Sequence, residues 1–205
     1  MSIVTLNDRG VRSVTAFGSL NTGSMVFIKK LTASSSSTLS FVNGSSDVVL
    51  DSTYKEYVFT FKDIHPATND VTFQVNFRDG GTDYDAVKTT SNFFAAHYEN
   101  DSGTGFAYRT GNDVAQGTGV AQLAPASIGN GNDESVSGSM TLFNPSSTTF
   151  VKHFISVCNA YNSSDLSNQE FCAGYCNVTT AIDAVQFSMS SGNIDAGDIC
   201  LYGIL

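Results

Sequence analysis

The chain has 205 residues, enough for one well-filled sandwich or barrel or for two small domains, and 41% of its residues are hydrophobic. Fifteen Phe and eight Tyr, with only 14% charged residues, exclude intrinsic disorder, which requires high net charge and few aromatic residues. The net charge of −9 disfavours nucleic acid as a partner, and no apolar run reaches the roughly 20 residues needed to span a bilayer.

Alternating apolar and polar residues predict β-strands along most of the chain. In chain order, the predicted strands are 11–17, 24–32, 38–42, 57–62, 71–77, 104–109, 118–123, 136–143, 150–158, 185–189 and a last strand around Ile199 and Leu201. The alternation is cleanest in Val71–Phe77, where every apolar residue points to one side. The segment Ala86–Asn100 does not alternate and is predicted to form a short helix.

The predicted fold class is all-β, a single antiparallel β-sandwich of about ten strands with jelly-roll-like connectivity. Glycine and asparagine turn signals, such as Asn43-Gly44 and Asn130-Gly131, separate the strands at the spacing typical of a sandwich. One domain over residues 1–205 is expected. Residues 1–9 are interpreted as either an anchoring arm or a first edge strand. No repeat or heptad pattern is present, which favours a compact module over a fibre shaft.

Four cysteines lie in the last third of the chain: Cys158, Cys172, Cys176 and Cys200. A zinc site can be drawn from Cys172, Cys176 and the nearby His153, but the close-spaced ligand pairs of structural zinc sites are missing. A disulfide among the four is a second alternative. Ordinary reduced thiols are favoured, because a protein assembled inside a cell begins with reduced cysteines.

The usual catalytic motifs are absent from the sequence, so no catalytic, cofactor-binding or metal-binding residues are assigned and no cofactor is expected. His153 is interpreted as a histidine at the edge of the core, sharing a strand face with Val151, Ile155 and Val157. Two acidic loops supply oxygen atoms that can hold calcium, although solvated acidic turns explain them equally well. Those loops contain Asp79, Asp83 and Asp85, and Asp133 and Glu134.

Tyrosines near the predicted loops offer a possible surface for sugar rings, although the chain has no Trp, the commonest stacking platform. They are Tyr84, Tyr98, Tyr108, Tyr161 and Tyr175. Interface contacts are the favoured interpretation, because tyrosine suits positions that are apolar on one side and wet on the other.

Three blocks together resemble virion-associated structural and fibre-type proteins of marine tailed phages, including those of cyanobacteria. The blocks are 49–54, 142–154 and 182–204, which together with their surroundings cover about half of the chain. Within them, Asn144-Pro145 is expected to form a turn and Phe150 to re-enter the core. The resemblance implies a β-sandwich on the particle surface with no catalytic residues to carry over. The segment 158–178 has no counterpart in it.

The expected function is therefore that of a non-enzymatic virion structural protein, assembled in the host cytoplasm. A capsid decoration (cement or knob) protein or another accessory protein is the first hypothesis. Its partners would be the major capsid protein or tail proteins, together with further copies of itself in a homo-oligomer. The alternative is a tail-associated receptor-binding module that recognises a host cell-surface glycan. A polysaccharide-degrading enzyme is the least favoured, because it needs paired carboxylates across a cleft.

Overall fold

The computed structural model describes residues 24–205, which form β-strands joined by turns and loops. The strands are β1 (Met25–Thr32), β2 (Leu39–Val42), β3 (Glu56–Pro66), β4 (Val71–Arg78), β5 (Lys88–Tyr98), β6 (Thr104–Tyr108), β7 (Ala121–Ile128), β8 (Val136–Phe143), β9 (Lys152–Asn162), β10 (Leu166–Cys176), β11 (Ala184–Met189) and β12 (Ile194–Ile204). The all-β prediction is confirmed, with twelve strands in the described part instead of about ten. The predicted strand 11–17 and the proposed arm 1–9 lie outside the described residues.

All strand pairs are antiparallel, and the strands form two layers. One layer has the order β1-β12-β3-β8-β9-β10-β5-β6, and the other has the order β2-β11-β4-β7. A single residue pair, Ile128 with Asn162, joins the layers through β7 and β9. Eight of the strands have the order of a jelly roll, with β1-β12-β3-β8 in one layer facing β2-β11-β4-β7 in the other. The expected connectivity is therefore confirmed.

The remaining four strands, β9, β10, β5 and β6, lengthen one layer of the jelly roll beyond β8. We call these four strands the extension. In chain order they come from two insertions, β5–β6 between β4 and β7 and the β9–β10 hairpin between β8 and β11. The extension therefore depends on pairing between β5 and β10, which lie far apart in sequence.

The core lies between the two layers and is dominated by phenylalanine. The Phe187 ring packs against four other phenylalanine rings, with centroid distances from 5.2 Å to 6.3 Å. Those partners are Phe41, Phe59, Phe61 and Phe73, all of which are buried. Phe59, Phe61 and Phe73 come from the alternating runs in β3 and β4, and the structure buries the apolar face of each run, as the alternation predicts.

The main errors of the sequence-based assignment fall in the extension. Residues 86–100, predicted as a helix, contain β5, whose eleven residues pair one to one with β10. The alternation fails there because the exposed Phe93 and the half-buried Phe94 lie on opposite faces of the strand. Strand β10 was not predicted at all. The predicted strand 118–123 begins later and runs further, over Ala121–Ile128.

Candidate interaction face

The extension is a regular sheet whose two faces have opposite character. Strand β10 pairs with both β9 and β5 over eleven residues without a bulge, whereas the jelly-roll pairs β1–β12, β3–β12 and β3–β8 all contain register shifts. The inner face mixes apolar residues such as Phe154 and Cys172 with buried charged and polar side chains, and the outer face exposes aromatic and aliphatic side chains among neutral polar ones. This distribution departs from the usual rule that a half-exposed strand keeps its polar residues on the solvent side and its large apolar residues on the core side.

An ion pair lies at the centre of the inner face. The guanidinium of Arg109 donates two hydrogen bonds to the Glu170 carboxylate, from Nε at 3.0 Å and from a terminal nitrogen at 2.5 Å. The amide of Asn168 donates a third at 3.0 Å. Glu170 is 1% exposed, and burial raises the pKa of its carboxyl while the hydrogen bonds from Arg109 oppose the shift. Arg109 also stacks on the Phe94 ring, 4.1 Å from its centroid.

Two fully buried lysines hold irregular loops against the extension. The ammonium group of Lys88 donates to the backbone carbonyls of Thr118 and Gly119 at 3.3 Å and 2.8 Å. The ammonium group of Lys152 donates to two carbonyls of the loop after β10, at 2.7 Å and 2.5 Å. Burial lowers the pKa of both ammonium groups. The carbonyl groups provide the hydrogen bonds that a buried ammonium ion requires.

Other polar side chains of the inner face bind the loop that follows β6. The Thr90 hydroxyl accepts a hydrogen bond from the Val114 amide at 2.8 Å, and the Asn92 amide donates to the Asn112 carbonyl at 3.2 Å. Because this loop has no strand partner of its own for many of its backbone groups, polar side chains of β5 supply the hydrogen bonds. The polar side chains of the inner face therefore have a structural role.

The four cysteines are free thiols. Cys158, Cys172 and Cys176 lie on the inner face and are buried, and burial raises their pKa values to about 11, about 12 and about 12. These thiols are protonated at neutral pH and are poor nucleophiles and poor metal ligands in that form. Cys200 lies on β12 and is partly exposed.

The outer face of the extension carries a group of exposed aromatic and aliphatic side chains. Phe93 stacks on Phe171 with parallel rings 4.6 Å apart, and Phe106 contacts Phe93 edge-on at 6.0 Å. Phe106 is 76% exposed, and Ile155 is 52% exposed. Val157, Ala173 and Tyr175 continue this surface, which we call the extension face.

The extension face carries no formal charge. The outward positions are every second residue of the four strands: 153–161 on β9, 167–175 on β10, 89–97 on β5 and 104–108 on β6. None of these positions holds Asp, Glu, Lys or Arg, although the chain has 29 such residues. A contiguous, uncharged, aromatic-rich surface of this kind is typical of a protein–protein contact.

The structure corrects the placement of His153. Its side chain is exposed on the outer face and packs edge-on against Tyr175 at 6.0 Å. Cys172 and Cys176 point to the opposite face of the same sheet, so the zinc set drawn from these three residues does not come together. The three residues His153, Ile155 and Val157 do share one face of β9, as predicted, but that face is the outer one. The prediction that this face lies at the edge of the core is therefore wrong.

Phe150, expected in the core, is 71% exposed in the loop before β9. The acidic residues of the two candidate calcium loops do not converge. Within residues 24–205, no three His, Cys, Asp or Glu side chains are close enough to share a metal ion. The candidate sugar-contact residues Tyr98 and Tyr108 are 39% and 54% exposed, at the ends of β5 and β6.

Residues 24–205 also contain no helix with the length and hydropathy that crossing a bilayer requires. Comparison of the chain with family models, curated proteins and solved structures found no match.

Proposed function

We propose that this chain is a non-enzymatic structural protein on the surface of a tailed-phage particle, acting as a capsid decoration or accessory protein. The observation that carries the proposal is the extension face, a sheet surface with exposed aromatic residues and no Asp, Glu, Lys or Arg at its outward positions. The jelly-roll sandwich and the three blocks that resemble phage virion proteins support the same role.

The extension face suits permanent burial against a neighbouring protein. Its outward positions hold no Asp, Glu, Lys or Arg, so few charged groups lose their hydration when the face is covered. Its exposed phenylalanines are the kind of residue that fills the centre of a protein interface. In the proposed particle, the neighbours are the major capsid protein, tail proteins or further copies of this chain.

The cysteines agree with assembly in the host cytoplasm. All four are free, and three are sealed inside the fold as protonated thiols. A reducing compartment maintains this state. The fold therefore does not depend on a disulfide that would form only after lysis.

Immunogold labelling of intact and tail-stripped particles with antibody against this chain tests the proposal. We expect label over the heads, and we expect it to persist after the tails are removed. Purified chain added in excess should abolish the label, which controls for specificity. Particles without label on either head or tail would refute a virion role.

A tail-associated receptor-binding module is the second candidate function. The observation that favours it is Tyr108, which is 54% exposed at the end of the edge strand β6, where a sugar ring can stack on it. Two results together would favour this function over decoration. The label would be confined to the tail, and the chain would bind a glycan in a manner that Tyr108→Ser abolishes and Tyr54→Ser leaves unchanged.

A further inference from the structure

The partner that best fits the extension face is a second copy of this chain. We infer that two copies pack through their extension faces about a two-fold axis that passes over Phe93. The inference rests on the proposed function, which assigns this face to contact with a neighbour, and it names that neighbour.

Charge is the first argument for a second copy. Each chain has a net charge of −9, so two copies repel each other over most of their surfaces. The extension face is an area where two copies can approach without bringing like charges together, because its outward positions are neutral. A basic partner would instead be attracted to the acidic remainder of the surface.

The size of the face is the second argument. Three strands of eleven residues and one of five cover about 600 Å² at about 3.3 Å per residue and about 4.8 Å between strands. Complete overlap of two such faces would bury about 1,200 Å², which is the lower end of the range for specific, stable protein interfaces and the upper limit for this contact.

The shape of the face is the third argument, because a two-fold contact requires a protrusion and a depression on the same surface. Phe106 is the most exposed large side chain of the extension, at 76%. A shallow depression of about 120 Å³ lies over Ala173, between Ile155 and the stacked rings of Phe93 and Phe171.

The register places Phe93 midway between the protrusion and the depression. Phe106 pairs with Ala95 of β5 on one side, and Ala173 pairs with Ser91 of β5 on the other. Phe93 lies between Ser91 and Ala95 on the same face. A two-fold axis in the plane of the interface, over Phe93 and perpendicular to the line from Phe106 to Ala173, seats each Phe106 in the depression of the other copy. The same axis brings the two Phe93 rings together.

Sedimentation equilibrium of the full chain, from low micromolar to submillimolar concentration, tests the inference. We expect a dimer in the wild type. Phe93→Glu places two carboxylates against each other at the axis and should raise the dimer dissociation constant at least about 30-fold. Phe106→Glu should also raise the dimer dissociation constant, because it places a carboxylate in the apolar depression of the other copy. Phe27→Glu is the matched control, because Phe27 is 57% exposed on β1 at the opposite edge of the same sheet.

A mixing experiment makes the test specific for the two-fold axis. Phe93→Glu and Phe93→Lys should each be monomeric alone, but together they should form a mixed dimer, because the substituted residues meet across the axis. Circular dichroism and thermal unfolding verify that each variant is folded. If the variants at Phe93 do not fold, Phe106→Glu tests the interface in their place.

Three results would overturn the inference. They are a wild-type chain that stays monomeric at every concentration, a trimer, and a dimer that Phe93→Glu and Phe106→Glu leave intact. None of these results affects the particle labelling described above, so the two proposals can fail separately.

Discussion

Removing Arg109 tests whether the buried ion pair, and with it the polar inner face, holds the extension together. In Arg109→Met the Glu170 carboxyl keeps the hydrogen bond from Asn168 but loses both bonds from the guanidinium. Breaking a buried ion pair by removing one partner costs about 3–5 kcal/mol. The side chain of Arg109 is 19% exposed, which puts the expected loss near the lower end of that range.

Protonation of Glu170 sets an independent limit on this loss. The isolated carboxyl can take up a proton in the folded state, whereas in the unfolded chain its pKa is near 4.5. Holding that proton at pH 7, about 2.5 units above the unfolded pKa, costs about 3.4 kcal/mol at about 1.4 kcal/mol per unit. We therefore expect Arg109→Met to lower the free energy of unfolding by about 3 kcal/mol at pH 7.

The loss should depend on pH with a defined sign. Burial without Arg109 raises the folded pKa of Glu170 above the unfolded value, so the folded state binds the proton more tightly than the unfolded state. The stability of Arg109→Met relative to wild type is then highest below pH 4.5 and falls as the pH rises towards the folded pKa. The deficit should therefore be largest at pH 7 and should shrink as the pH is lowered towards 4.5.

Urea unfolding followed by circular dichroism at pH 7, 6 and 5 measures these differences. The double variant Arg109→Met with Glu170→Met should recover more than half of the loss, because it removes both buried charges. Arg78→Met is the control, since the partly exposed pair of Arg78 and Asp183 is worth at most about 1 kcal/mol. A deficit below about 1 kcal/mol at pH 7, or one that does not change with pH, would refute this account of the inner face.

Three further predictions concern the thiols and the close contacts of the sheet. In the native protein at pH 8, only Cys200 should react quickly with iodoacetamide, because the other three thiols are buried; mass spectrometry after quenching would reveal fast labelling of a second cysteine as contrary evidence. Burial raises the pKa values of the three buried thiols from 9.0 to about 11 or 12, so their contribution to stability is full below pH 9 and declines above it. The urea concentration at the unfolding midpoint should therefore decrease as the pH is raised from 9 to 12. A midpoint that does not change over this range would contradict the burial of these thiols. Gly138→Ala should lower the free energy of unfolding by about 1–3 kcal/mol, because the new Cβ would collide with the Val157 carbonyl oxygen and lie 2.7 Å from Cys158 Cα. Gly111→Ala is the control, because its Cβ meets no atom within 4 Å and should leave the free energy of unfolding unchanged in the same urea experiment.

Much of the jelly roll was predictable because its strands follow the usual rule for a half-buried sheet. In β3, β4 and β11 the apolar residues alternate and face the core, and aromatic side chains such as Phe59, Phe73 and Phe187 mark them. Local composition and period therefore sufficed to locate these strands and to orient them. The jelly-roll connectivity is one of the common ways in which such strands close into two sheets.

The extension was poorly predicted because its strands do not follow that rule. An alternating strand has two faces, and the alternation does not say which one is buried. In β9 the apolar residues Ile155 and Val157 face outward, while Lys152, Ser156 and Cys158 face inward. The sequence pattern alone placed the wrong side in the core, and it left β10 unassigned because its residues do not separate cleanly into an apolar and a polar face.

The sequence by itself determined that this chain folds into an antiparallel β-sandwich, through its aromatic content, its alternating strands and its glycine and asparagine turns. Only the tertiary structure decided the orientation of the extension. The reason is that its inner polar residues are satisfied by groups distant in sequence: Glu170 by Arg109, and Lys88 by the carbonyls of Thr118 and Gly119. Burying those polar residues costs free energy unless these partners are in place, and once they are, the apolar side of the extension is the one left facing outward.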